Sequence, residues 1–257
     1  MCKCNYYLDR NMRLRINKKR SLISFLILFF MMILQFPAIT AVNSIKKNSL
    51  KVNGVNGTVW KGSASEISSD EIYLRQTRWE IVPSELLKGN LTFDVSTYPF
   101  NGQLEFNLIL SPMNIRATDI KGNFPNDILE IIAPFLGVSS EVIMNIKSLN
   151  INKKDISQIE GQVLLNNLVI KGISNRIIGS FKIDLFERKG EIYGSIDEIS
   201  GEIDIAATLS LTLSGKYIID GVVSAKQNTN NQIRTILSYL GAENENGQRS
   251  FRFEGQI

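Results

Sequence analysis

The chain has 257 residues, of which 44% are apolar and 21% are charged, so its composition is that of a folded protein and not of a disordered one. It contains no histidine, which excludes Ser-His-Asp and Cys-His catalytic systems and histidine-ligated zinc. Cys2 and Cys4 both precede the first apolar segment, so the rest of the chain has no thiol for a disulfide, a metal or a nucleophile.

The basic character of the chain is confined to its N-terminus. The formal net charge is +4, but seven basic residues and Asp9 lie before Ser21. Without them, the remainder holds 22 basic and 24 acidic side chains, a net charge of −2. The body therefore has no electrostatic reason to bind nucleic acid. Residues 1–21 are predicted to be a basic cytoplasmic tail.

Residues 22–41 form an apolar segment without a charged side chain. About twenty residues at ~1.5 Å rise per helical residue cover the roughly 30 Å hydrocarbon layer of a bilayer, so the segment is predicted to be a transmembrane anchor. The preceding basic residues predict a cytoplasmic N-terminus and an exported body. A cleaved signal peptide is the alternative, because the densest apolar core is short and small residues follow Pro37.

Residues 46–257 are predicted to form a mainly β domain, a curved, antiparallel and meander-rich sheet. The clearest strand is 203–213, in which Ile, Ala and Leu alternate with Asp, Ala, Thr and Ser. Pairs such as Asn101-Gly102 and Asp220-Gly221 are typical of the tight turns that join antiparallel strands. Further alternating runs lie at 91–95, 104–110, 181–185 and 251–253.

Two short amphipathic helices are predicted between the strands. One begins after Asn126-Asp127 and ends before Gly137; the other begins after Asn230-Asn231 and ends before Gly241. Their similar endings suggest an internal duplication with repeats at 51–151 and 152–257. Their apolar residues, spaced i, i+3, i+4 and i+7, are Ile128, Ile131, Ile132 and Phe135 in the first helix, and Ile233, Ile236, Leu237 and Leu240 in the second.

A glycine-rich segment at the start of the body, followed by tryptophan, proline and leucine motifs, resembles the type II secretion system protein N family. The matching order is G-x-x-G-T-x-W-x-G-x-A, then W with P-x-x-L-L-x-G-x-L, then a closing L-x-x-L-G element and later glycines. The basic tail with two cysteines departs from the family pattern. The residues that carry the resemblance are Gly54, Gly57, Thr58, Trp60, Gly62, Trp79, Pro83, Leu86, Leu87, Gly89, Leu240, Gly241 and Gly255.

The resemblance implies a non-enzymatic accessory subunit of the type II secretion system, which exports folded proteins from the periplasm across the outer membrane. It further implies a single-pass protein of the cell inner membrane with its β domain in the periplasm. The implied partners are the inner-membrane platform subunits, with the secretin as a further candidate. No catalytic residue, cofactor, metal, nucleic acid or small-molecule substrate is implied.

The main alternative is a membrane-anchored periplasmic lipid-binding or lipid-transfer protein, because an apolar sheet face must be covered by helices, by a partner or by lipid. An open trough lined by residues 203–213 favours this alternative, whereas a face covered by the helices favours a scaffold. A carbohydrate-active enzyme would need a carboxylate pair in a cleft. The acidic groups at 70–71, 197–198 and 202–204 are interpreted as solvated strand ends and turns.

Overall fold

The computed structural model of the chain describes residues 18–44, 51–69, 73–111, 114–132, 137–152, 155–171, 174–188, 190–212 and 216–256. In these residues the protein is mainly β, as the alternating sequence predicts, and all paired strands are antiparallel. The strands are β1 (Lys51–Asn53), β2 (Asn56–Gly57), β3 (Lys61–Ser68), β4 (Tyr73–Ile81), β5 (Leu91–Thr97), β6 (Gln103–Leu110), β7 (Ile115–Phe124), β8 (Val138–Asn152), β9 (Asp155–Ile170), β10 (Ser174–Arg188), β11 (Glu191–Gly201), β12 (Ile203–Leu211), β13 (Lys216–Ala225) and β14 (Arg249–Gln256).

Short helices flank this sheet. They are α1 (Lys18–Leu34), α2 (Ala38–Ser44), α3 (Pro83–Leu86), α4 (Ile128–Ile132) and α5 (Asn231–Ser238), together with a 3₁₀ turn (Pro99–Asn101).

The strands pair in the order in which they occur along the chain, from β1 and β3 through to β14, while β2 pairs with β3 alone. Because consecutive strands run in opposite directions, the connections between them lie at two opposite ends of the sheet, measured along the strands. We call the end where β3 begins and β4 ends the proximal end, because α1 and α2 contact the sheet there. The opposite end, which α4 and α5 occupy after β7 and β13, is the distal end.

One face of this sheet, the inner face, is apolar along most of its width. Directly paired residues of antiparallel strands lie on the same face, so the register traces it across the sheet. In β12 the predicted alternation is confirmed, since Ala207 is buried whereas Asp204 and Thr208 are exposed. A continuous row of paired residues on the inner face is Thr97, Leu104, Gly122, Met144, Val163, Ile183, Ile196, Ala207, Gly221 and Phe251.

The second predicted helix is confirmed as α5, and it covers the distal part of the inner face. The side-chain Oδ1 of Asn230 accepts a hydrogen bond from the backbone N–H of Gln232 at 2.8 Å and so caps the helix. Ile233 and Leu237 lie one turn apart and are buried against the sheet. The strand residues of this cluster are Ile178, Phe181 and Val223, with Ile203, Ile205 and Phe251 packed around them.

The first predicted helix is confirmed in its described part, α4. Ile128 is buried with Phe124 and Val142, so α4 covers the distal ends of β7 and β8. The predicted apolar position Phe135 lies outside the described residues, and Gly137 has the positive φ of 60° that is typical of a residue following a helix. Both helices connect neighbouring antiparallel strands at the distal end; the duplication of 51–151 and 152–257 stays a prediction.

The predicted anchor over residues 22–41 is not one continuous helix, and this part of the prediction is wrong. α1 ends at Leu34 and α2 begins at Ala38, which is buried. Pro37 explains the break, because proline has no N–H to donate and disfavours a helical conformation in the residue before it. Among the residues that the structure describes, no helix combines the length and the apolar content that crossing a bilayer requires.

Candidate functional site

The N-terminal helices are joined to the proximal end of the sheet by backbone and indole contacts. The indole Nε1 of Trp60 donates a hydrogen bond to the carbonyl of Ile33 at 2.8 Å. The backbone N–H of Val59 donates to the carbonyl of Phe36 at 3.1 Å, and Pro37 forms a β-bridge with Thr58. These contacts place the end of α1 and the start of α2 directly against the turn that joins β2 to β3.

The turn and the strand residues beside it contain four residues of the family-like motif, Gly57, Thr58, Trp60 and Gly62, and the backbone geometry explains the two glycines. Gly57 has φ of 85°, and a Cβ at this position would lie 2.5 Å from the carbonyl oxygen of Lys61. A Cβ on Gly62 would lie 2.5 Å from the Trp79 ring, whose Nε1 donates to the Thr58 carbonyl at 3.3 Å. We call Gly57, Thr58, Trp60, Gly62 and Trp79 the proximal corner.

The P-x-x-L-L-x-G element also lies at the proximal end. Pro83 occupies the first position of α3, where its missing N–H has no helical partner to lose. Gly89 closes the turn with φ of 81°. Leu86 is exposed, and the side chain of Leu87 is 91% exposed. These two leucines cover no part of the core and are exposed at the same end of the sheet as α1 and α2.

The remaining predicted motif residues lie elsewhere. Gly54 adopts φ of 64° beside Ser65, near the proximal corner. Leu240 packs against the α5 cluster and Gly241 follows that helix with φ of 112°, so both belong to the distal end. Gly255 lies in β14 beneath the ring of Tyr217. The structure therefore brings the early motifs together at the proximal end and separates them from the closing element.

Two of the acidic residues, Glu198 and Glu202, take part in structural contacts. Lys226 donates to Glu198 at 2.7 Å, and the side chain of Glu202 accepts the backbone N–H of Asn230 at 2.8 Å, which fastens the start of α5. Asp70 and Glu71 lie outside the described residues. Within the described part of the chain, no three His, Cys, Asp or Glu side chains gather closely enough to hold a metal ion.

An ion pair connects α4 to the sheet. Lys171, which directly follows β9, donates a hydrogen bond to Glu130 on α4, and this contact lowers the pKa of the Glu130 carboxyl. Deeper in the sheet, hydrogen bonds from Lys182 and then Gln162 lower the pKa of Asp184. Both carboxylates therefore stay charged at neutral pH, and neither resembles a general acid with a raised pKa.

A hollow of about 480 Å³ lies against the inner face over β4 and β6–β9. Each lining residue is apolar, and five strands, the 3₁₀ turn and α4 contribute to the hollow. These residues are Leu74, Pro99, Phe100, Leu104, Phe106, Leu108, Ile115, Ala117, Ile120, Phe124, Ile128, Val142, Met144, Ile146, Leu149 and Ile159.

The hollow is closed at the distal end and more open at the proximal end. Phe100 and Ile128 pack at the distal end, next to the buried side chain of Phe124. At the proximal end of β7, Ile115 lines the hollow and is 45% exposed. The alternation at 104–110 indicated an apolar face here. An open trough at 203–213 would favour lipid binding, but α5 packs on Ile203 and Ile205 there.

Most of the chain is similar to one known protein family. A family model described as type II secretion system (T2SS), protein N matches residues 48–252, which include all the β strands except the last residues of β14. The chain belongs to this family. The predicted resemblance is thus confirmed, and the family match begins where the described β domain begins, just after α2.

A relative of this T2SS protein N family supports the same assignment. The chain is similar to the type II secretion system protein N of Pectobacterium carotovorum subsp. carotovorum, with 19% identity over 206 residues, or 78% of this chain and 82% of the relative. No solved structure matches the chain.

Proposed function

We propose that this chain is a non-enzymatic accessory subunit of the type II secretion system. The family match over residues 48–252 carries the proposal. The contacts support it, because they give Glu198 and Glu202 structural roles, and because Thr58 and Trp60 join the N-terminal helices to the sheet. The partners are other subunits of the secretion system, with the inner-membrane platform first among them.

We further propose that α1 attaches the protein to the inner membrane and holds the sheet on its periplasmic side. The large apolar side chains from Leu22 to Leu34 are exposed, so α1 covers no core of this chain. Exposed apolar surface of this extent is unfavourable in water and favourable in lipid. The proximal corner then holds the sheet close to the membrane surface.

The edge strand β14 is our candidate for contact with a partner subunit. In the described strand order β14 is the last strand and has one neighbour, β13. A terminal strand presents backbone groups to which a strand of another protein can pair. Eight residues belong to β14, whereas β1, the strand at the other end of the order, has three.

Secretion by a deletion strain tests the function. Loss of this chain should leave a secreted protein in the periplasm, and the intact gene should restore its release into the medium. A variant in which a cleavable signal replaces residues 1–45 should restore release in part, because the sheet domain remains but is no longer concentrated at the membrane. Normal release from the deletion strain would contradict the proposal.

Cross-linking in cells tests the contact surface. A photoreactive residue in place of Arg252 on β14 should capture a secretion subunit, because this residue lies on the terminal strand. The matched control is Thr208, which is exposed on β12 in the interior of the sheet order and should capture none. Equal capture at both positions would show that β14 is not the docking edge.

A further inference from the structure

We propose that the hollow binds one acyl chain of a membrane phospholipid, which enters from the proximal end of the sheet. This inference rests on the membrane attachment that we propose for α1. It adds a ligand site to a protein for which the secretion role requires none.

The lining of the hollow selects a hydrocarbon ligand. Its residues, from Leu74 on β4 to Ile159 on β9, offer no polar side chain to a ligand. Apolar cavities exclude water and accept apolar molecules, because a water molecule needs hydrogen-bonding partners. The volume of about 480 Å³ falls within the range of roughly 300–1,000 Å³ that is typical of small-molecule sites.

A protein segment fits the same hollow poorly. An extended peptide would bring backbone N–H and C=O groups to a sheet face whose own backbone groups are paired within the sheet, and unpaired buried polar groups are costly. A helix satisfies its own backbone, but two turns of a helix about 10 Å wide occupy on the order of 1,000 Å³. An acyl chain has neither the polar groups nor the width.

The position of the opening selects the direction of entry. Phe100 and Ile128 close the distal end, whereas Ile115 is exposed at the proximal end of β7. The exposed apolar helix α1 and the exposed Leu87 on the loop after α3 lie at that same end. An acyl chain can therefore pass from the bilayer that surrounds α1 into the hollow while its headgroup stays at the membrane surface.

Photolabelling of the full-length protein tests the site. The protein is incorporated into vesicles of phosphatidylethanolamine and phosphatidylglycerol that contain a phosphatidylethanolamine with a diazirine at the end of one acyl chain. After illumination, mass spectrometry should locate adducts on inner-face residues of β6 and β8, such as Phe106 and Met144. Adducts confined to α1, or spread equally over both faces of the sheet, would overturn the proposal.

Two pairs of variants sharpen this test. Met144→Trp fills the hollow and should lower labelling of the hollow roughly tenfold, since excluding about two methylene groups removes about that much binding. Asn145→Trp, on the opposite face of β8, should label like the natural protein. Because Met144→Trp could also disturb folding, Ile115→Glu places a charge at the exposed opening instead, with Lys121→Glu on the outer face as its control. Unchanged labelling in both Met144→Trp and Ile115→Glu would overturn the site.

Sedimentation separates this proposal from the proposed function. If the protein sediments with the vesicles but the hollow stays unlabelled, the acyl-chain site fails and the secretion role is untouched. If the protein does not sediment, both the membrane attachment and the site that depends on it fail. A photoreactive residue at Phe106 that captures a protein segment in cells, instead of phospholipid, would also overturn the site.

Discussion

Two regions of the same sheet face differ in what covers them. Over β10, β12 and β13, the helix α5 inserts Ile233 and Leu237 between strand residues such as Phe181 and Val223, and all four are buried. Over β6–β8, side chains such as Phe106 and Met144 line a hollow and stay half-buried. Both regions alternate apolar and polar residues. The alternation therefore identifies an apolar sheet face but does not show which element, if any, packs on it.

Weakening the contact between α5 and the sheet should produce the largest effect on stability. Leu237→Ala should lower the free energy of unfolding by about 2–5 kcal/mol, because it leaves a cavity between α5 and the strands. Met144→Ala should cost clearly less, since Met144 already faces a hollow. Denaturant unfolding of both variants measures the difference, and Thr235→Ala on the exposed side of α5 is the control. Equal losses for Leu237 and Met144 would mean that the two regions are covered alike.

The next effect concerns the proximal corner, which joins α1 and α2 to the edge of the sheet nearest the hollow. Gly57→Val and Gly89→Val impose the same penalty for positive φ, at 85° and 81°. At Gly57 the new Cβ also meets the Lys61 carbonyl, whereas at Gly89 nothing lies within 4 Å. Gly57→Val should therefore be less stable by a further ~1–3 kcal/mol, measured by thermal unfolding. Identical stabilities would show that the corner tolerates the close approach.

A smaller effect is expected from the indole hydrogen bond at this corner. Trp60→Phe keeps the ring but removes the donor to Ile33, which should cost about 1 kcal/mol. Hydrogen exchange of residues 36–41 should become faster, because the end of α1 is held less firmly. Trp79→Phe removes a longer contact, at 3.3 Å, to Thr58 and should leave exchange at 36–41 unchanged. Faster exchange in both variants would contradict a specific role for Trp60.

The smallest effect concerns α4, which closes the distal end of the hollow. Because the hydrogen bond from Lys171 lowers the pKa of Glu130 in the folded state, its contribution to stability is present above the ordinary pKa of 4.5. It is lost as the pH falls through the lowered value. The protection factors of the α4 amides, which compare observed with intrinsic exchange at each pH, should fall over this acidic range in the natural protein. In Glu130→Gln, protection of the α4 amides should already be lowered at neutral pH. Loss of the Lys171–Glu130 pair should then lower it no further as the pH falls.

The helices show where sequence reasoning ended. Asn230 and the spacing of Ile233 and Leu237 predicted α5 and its buried side, because capping and helical periodicity are local properties. The apolar composition of 22–41 predicts one helix, but Pro37 breaks it. The tertiary hydrogen bond from Val59 to the carbonyl of Phe36 then holds the non-helical segment against the sheet.

The sequence by itself determined that the body is an antiparallel meander with one apolar face, two amphipathic helices and an early motif of glycines and tryptophans. These features follow from side-chain period, turn chemistry and capping, which act over a few residues. Only the tertiary structure decided which strands the helices cover, where the hollow opens and that Trp60 contacts Ile33. Those features depend on the register and curvature of the whole sheet, to which many strands contribute. No local sequence pattern predicts them.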